Sequence, residues 1–182
     1  MVSDTARRQS CTVKTPIGSM EIETNSEMVY SLHLLPSDDP VVRQPETHLE
    51  QAVAKTLTAY FAQDFKAYEK WLAQLPLNLA QGTDFQKSVW CGLQQIPLGQ
   101  TKTYGELARS IDRPKAVRAV GQANRRNPFP IFVPCHRVIA QSGGLGGYMG
   151  YDDPKANALS IKAKLLALEG AILAPDVNFR QA

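Results

Sequence analysis

Three side chains with chemical potential stand in consecutive positions: Cys135, His136 and Arg137, a nucleophile, a base and a cation. Pro128, Pro130 and Pro134 surround them, fixing φ and removing backbone donors, so the stretch 130–139 cannot be a helix interior. Ile131, Phe132 and Val133 add an apolar run that reads as buried. A thiol becomes a nucleophile only as thiolate, which requires a base or a cation nearby, so this rigid, dry segment points to a reactive cysteine. Adjacent side chains in extended backbone point apart, so proton transfer between Cys135 and His136 is expected through a bridging water. The plainer readings are an inert buried thiol and a core histidine.

The elements that must position this segment come from a chain of 182 residues, 43% hydrophobic and 20% charged, enough for one ordinary domain or two small ones. No window reaches the uninterrupted apolar length of a membrane span. Residues 1–10 carry Arg7 and Arg8 with no apolar run behind them, so no secretory signal is expected. Cys11, Cys91 and Cys135 are an odd number at unrelated spacings, which argues against a disulfide framework and for a reducing, cytoplasmic setting. With no Cys-x-x-Cys pair, and His33, His48 and His136 the only histidines, no metal site is expected.

Charge divides the chain. Residues 1–82 hold 7 Lys/Arg against 10 Asp/Glu, and residues 83–182 hold 13 against 7. Between Lys102 and Arg126 seven cations (Lys102, Arg109, Arg113, Lys115, Arg118, Arg125, Arg126) face only Glu106 and Asp112. A basic half beside an acidic one suggests a polyanion binder; the bland alternative is a solvated helix face.

An α/β fold in two domains, 1–82 and 83–182, is expected. Residues 12–15, 20–24 and 28–35 read as a β meander, with Pro16-Ile17-Gly18-Ser19 as turn chemistry. Leu49, Val53, Leu57, Tyr60 and Phe61 recur at helical spacing over 46–65, and 71–79 reads as a linker or a last strand. In the second domain Thr83 is a candidate N-cap for a helix to about 95, with Phe85, Val89, Leu93 and Ile96 on one face. Thr103 and Glu106 form a capping-box pair opening a helix to about 110. Pro114 favours the first position of a third helix, ending near 124. Two helices joined by a tight turn, the second bearing Arg118, make a helix-turn-helix pattern. Ser142-Gly143-Gly144-Leu145-Gly146-Gly147-Tyr148 is glycine-dense but lacks a phosphate-loop signature. A last helix is expected over 156–169, stopped by Gly170.

Pro134-Cys135-His136-Arg137-Val138 resembles the active-site motif of the O6-alkylguanine-DNA alkyltransferases. Tyr104, Arg-Ala-Val-Gly at 118–121, Asn127-Pro128, Gly146 with Tyr148, and Leu-Glu-Gly at 168–170 occur in the family's order. The match spans roughly 83–170; in the first half mainly Thr15-Pro16-Ile17-Gly18 is similar to the family's opening hairpin. The resemblance implies an N-terminal ribonuclease-H-like scaffold and a C-terminal domain with a winged-helix-like helix-turn-helix. It implies transfer of an alkyl group from O6-alkylguanine, and in principle O4-alkylthymine, in double-stranded DNA to Cys135. The transfer would occur once per molecule, by a monomer without cofactor or metal.

The same resemblance assigns roles. Glu169 would orient His136, which through water deprotonates Cys135, and Asn127 would hinge the recognition helix to the cysteine loop. Arg118 would fill the space left by the flipped base while Tyr104 pushes on the neighbouring phosphate. Ala116, Ala119, Gly121 and Ala123 would permit close minor-groove approach, with Lys115 and Arg125 also on DNA. Val138 and Tyr148 would line the base pocket, with the backbone of Val138 and Gly146 reading the guanine edge. Turning the nucleotide out is required because the target atom is stacked inside the duplex. Met149, where a small residue is usual, and an extended 150–161 segment depart from the family pattern and bear on bulky alkyl groups. Two rivals stand beside this reading: a binder that senses alkylated bases without transfer, whose members lack the cysteine, and a cysteine hydrolase, which leaves the basic helix unexplained.

Overall fold

Alternation of buried and exposed residues along 18–24 sets the first sheet: Met20, Ile22 and Thr24 face inward, and the residues between them lie nearer solvent. A computed structural model of the chain describes residues 7–35, 43–147 and 158–171. The chain divides into two units, Met1–Gln81 and Gly82–Ala182.

In the first unit, β1 (Gln9–Thr15), β2 (Gly18–Thr24) and β3 (Val29–Leu34) form an antiparallel sheet in that order. Pairing of Thr15 with Gly18 leaves Pro16-Ile17 as a two-residue loop, and Gly18 takes φ +126° to close it. Helix α1 (His48–Phe61) opens on a Thr47–Glu50 capping box and buries Val53, Leu57 and Tyr60 completely, packing on β1 and β2. The expected single helix to residue 65 is two helices. Gln63 at φ 59° breaks the first, and Asp64 caps α2 (Phe65–Leu72) by accepting from Ala67 N at 3.1 Å. The span 71–79 is therefore the end of α2 followed by a short parallel bridge from Leu77 to Val29.

The second unit is helical. Helix α3 (Asp84–Gln94) starts at a Thr83–Gln86 capping box and buries Val89, Trp90 and Leu93. β4 (Lys102–Thr103) runs straight into α4 (Tyr104–Ser110), whose Thr103–Glu106 box is complete. Helix α5 (Val117–Arg125) begins three residues after Pro114, because Asp112 at φ 57° and a bond from Ala116 N to Arg113 O make 112–116 a turn. The unit closes with β5 (Val138–Ile139) and α6 (Ala158–Leu168), after which Gly170 takes φ +68°. β5 pairs in parallel with β4, Lys102 opposite Val138 and Thr103 opposite Ile139. That parallel register sets Tyr104, the residue after β4, beside the segment that follows β5. None of the described helices is long and apolar enough to cross a membrane.

Candidate functional site

The cysteine segment is not extended. Pro134 ends a fully buried run, Phe129 to Val133, and Cys135–Arg137 form a single 3₁₀ turn. The turn is held at both ends of the run. Asn127 Nδ2 donates to Val133 O at 2.6 Å, and its Oδ1 accepts from Phe129 N at 3.0 Å. Ile131 adopts φ 76°, a conformation costly for a β-branched residue, within this tightly fixed loop. Cys135 is 2% exposed. Burial pushes its thiol above the ordinary range, against the opposing pull of an Asn127 hydrogen bond and the Lys162 charge.

Below the turn lies a buried charge cluster that the residue order only hinted at. Glu169 accepts from His136 Nε2 at 2.8 Å, and from Arg137 Nε and Nη2 at 2.7 and 2.9 Å. Arg137 Nη1 donates to Ile96 O at 2.6 Å, tying the end of α3 to the same point. Burial alone would raise the Glu169 pKa, but the hydrogen bonds from His136 and Arg137 bring it down to about 2. An ionised carboxylate can only accept, so the proton between them sits on His136 Nε2 and Nδ1 is the basic nitrogen. Burial lowers the His136 pKa, keeping the ring neutral at neutral pH and able to take a proton.

The wall opposite is built from Tyr104, Lys162 and the glycine loop. Lys162 is fully buried, and its ammonium donates to Val138 O at 2.6 Å, Gly147 O at 3.3 Å and Leu145 O. Its pKa falls to about 8 through burial. The Val138 carbonyl is thus already engaged. Tyr104 hydroxyl donates to Gly147 O at 3.3 Å. Gly146 takes φ +65°, and a Cβ there would stand 3.1 Å from the Tyr104 ring, so glycine is required for both conformation and space. Tyr148, Met149 and residues 150–157 lie outside the described residues.

On α5, Arg118, Ala119 and Arg125 are exposed, as is Lys115 in the preceding turn, while Ala116 and Gly121 are half-buried. Ala123 departs from the expected contact set. It is 2% exposed, on the inner face of the helix, with its carbonyl accepting from Trp90 Nε1 at 3.0 Å. Sequence reasoning also passed over Lys162 and Asn124. Lys162 had a signal, because Lys162, Leu165, Leu166 and Glu169 share one face at i, i+3, i+4 and i+7. Asn124 had none. Among the described residues no three of His, Cys, Asp or Glu gather where they could hold a metal ion.

A buried thiol, a neutral imidazole fixed by a carboxylate, and an adjoining basic helix can carry out nucleophilic transfer on a ligand presented by a polyanion. Residues 84–171 match the family described as 6-O-methylguanine DNA methyltransferase, DNA binding domain. The chain is 40% identical over 163 residues to a methylated-DNA–protein-cysteine methyltransferase of Methanosarcina acetivorans, covering 87% of this chain and 96% of that one. Its structure resembles that of Mycobacterium tuberculosis O6-methylguanine methyltransferase, with a TM-score of 0.72 at 35% identity over 93% of this chain and 97% of the other. Mycobacterium tuberculosis OGT in complex with DNA gives 0.69 at 37% identity over 87% and 91%.

Proposed function

The chain belongs to the 6-O-methylguanine DNA methyltransferase family, and on that premise we propose that it repairs DNA by taking the alkyl group of O6-alkylguanine onto Cys135. The observation that carries the reading is the packed sequence of thiol, imidazole and carboxylate: Cys135 buried, and His136 fixed to an ionised Glu169 at 2.8 Å. The thiol gives its proton to His136 Nδ1 through water. The Cys135 sulfur then attacks the alkyl carbon, an S–C bond forms, and the C–O6 bond breaks with its electron pair going to guanine, which takes up a proton. Atoms and charge balance without a cofactor. Among the described residues nothing in the site removes a thioether, and each molecule acts once.

The DNA-facing roles follow the same reading. Arg118, exposed on α5, fills the stack vacated by the flipped nucleotide, and Tyr104 pushes on the neighbouring phosphate. Asn127 hinges α5 to the cysteine loop, and Val138, Gly146 and Tyr148 surround the base. Lys115, Ala119 and Arg125 lie along the duplex. O4-alkylthymine is a second substrate class, and the protein acts as a cytoplasmic monomer on double-stranded DNA.

Incubation with excess duplex carrying one O6-methylguanine, followed by intact mass spectrometry, tests this. The expected result is a gain of one methyl, mapped to Cys135, absent in Cys135→Ala and stopping at one per molecule. Tight binding with no gain in mass would overturn transfer in favour of lesion sensing. Repeated turnover on an ester would overturn it in favour of hydrolysis.

A further inference from the structure

Asn124 follows Arg118 by six residues on α5, yet the two face opposite ways: Arg118 is exposed and Asn124 is 5% exposed. The Asn124 Nδ2 donates to the carbonyl of Cys135 at 3.3 Å. The same side chain acts on the Tyr104 hydroxyl, offsetting the rise that burial imposes on its pKa. That hydroxyl donates to Gly147 O, which also receives Lys162 Nζ, each at 3.3 Å. Hydrogen bonds therefore join Lys162, Gly147 and Tyr104 on one side and Asn124 and the backbone of the reacting cysteine on the other, with Asn124 acting on the Tyr104 hydroxyl between them. Asn124 is the one of these residues on the helix that bears Arg118.

Packing alone does not explain an amide here. Among the described residues Asn124 Oδ1 has no hydrogen-bond partner, and a buried acceptor left unpaired costs stability that an apolar residue of the same size would avoid. What the amide supplies is a donor group shared between Tyr104 and Cys135, two residues that no secondary-structure hydrogen bond joins directly.

We infer that Asn124 is a positioning residue for the transfer, holding the Tyr104 hydroxyl and the Cys135 carbonyl in register so that α5 sets the phenol and the thiol together. This rests on the proposed transfer to Cys135. Seating α5 on DNA then fixes the pocket as well as the duplex, and a misplacement of the thiol by even an ångström is felt in the rate of transfer, not in binding.

The test is single-turnover methyl transfer from duplex O6-methylguanine by the full chain, comparing wild type, Asn124→Leu, Tyr104→Phe and the double variant. The expected result is a roughly tenfold loss in the saturating rate constant for Asn124→Leu, the scale of one to two net hydrogen bonds. The apparent Kd for the same duplex stays within about twofold, since binding to backbone phosphates is untouched. Tyr104→Phe costs much less in the Asn124→Leu background than in wild type, because the two share one network. An unchanged rate constant, a loss confined to Kd, or losses that multiply in full would each overturn the assignment. Should Asn124→Leu not fold, Asn124→Asp, nearly isosteric but with oxygen in place of the donating nitrogen, is read by the same quantities. Wild-type transfer is measured in the same series: its absence sinks the parent reading, whereas transfer at equal rates by wild type and variant sinks only the role of Asn124.

Discussion

Replacing Glu169 by Gln tests the charge cluster beneath the cysteine turn, and the structure sets the size of the effect. The Glu169 side chain is fully buried and takes three donors, one from His136 and two from Arg137. Its pKa is lowered from 4.5 to about 2, which at about 1.4 kcal/mol per unit corresponds to about 3 kcal/mol of linked stability. A carboxylate with a depressed folded-state pKa contributes that stability fully above its ordinary value and loses it as pH falls through the folded value. Gln keeps the shape, removes the charge and leaves Arg137 buried without its counter-ion, a change costing about 3–5 kcal/mol in comparable buried pairs. The expected loss at pH 7 is therefore about 3 kcal/mol, and the gap between the two proteins should narrow as pH falls from 4.5 toward 2. Urea unfolding followed by fluorescence measures it. Trp71 and Trp90 are the only tryptophans, so a Trp71→Phe background leaves Trp90 to report on the second unit alone. A difference below about 0.5 kcal/mol at pH 7, or a gap that stays constant to pH 2, would refute the reasoning.

Two further outcomes follow from local geometry. Gly146→Ala must hold an L-residue at φ +65° with its Cβ 3.1 Å from the Tyr104 ring, so single-turnover transfer should fall severalfold while affinity for undamaged duplex is retained; equal transfer rates would show that the ring does not need that space. Native thiol mapping with iodoacetamide at pH 8 should label exposed Cys91 first. Cys11, pushed up to about 12 by burial, should stay unlabelled until the protein unfolds, and labelling of both at one rate in the native state would contradict the packing of β1.

The residue order carried local structure well and tertiary pairing poorly, for physical reasons. Capping at Thr83 and Thr103, the hairpin at Pro16-Ile17-Gly18 and the stop at Gly170 are short-range chemistry, and each falls where side-chain type and spacing place it. The break before α2 was missed because Gln63 supplies the left-handed turn, where glycine or asparagine would have announced it. The start of α5 was misplaced because Pro114 suits a tight turn as well as a first helical position. At the site, Cys135, His136 and Arg137 declare themselves by adjacency. The partnership of Arg137 with Glu169 spans 32 residues and that of Asn124 with Cys135 spans 11, and no spacing rule connects them. Ala123 looked like a groove-facing small residue because composition is blind to helix phase. Burial of Val120 and Asn124 shows that the inner stripe includes it.

The cluster also bears on why so much charge surrounds a single thiol. Desolvation is the largest influence on Cys135 and raises its pKa, with Asn127, Lys162 and nearby backbone donors opposing it. Lys162 cannot move toward the sulfur cheaply, because three carbonyls hold its ammonium. His136 is neutral and fixed from behind by Glu169 through Nε2, which leaves Nδ1 as its basic nitrogen. The resting arrangement thus keeps the proton on sulfur while holding the base and the cation in place. For a protein that the proposed transfer would consume this order matters: a thiolate formed before a target is seated would be open to any small electrophile, and nothing among the described residues of the site would restore it. Burial protects the thiol, and in the proposed transfer the fixed His136–Glu169 pair would take its proton once a substrate fills the pocket.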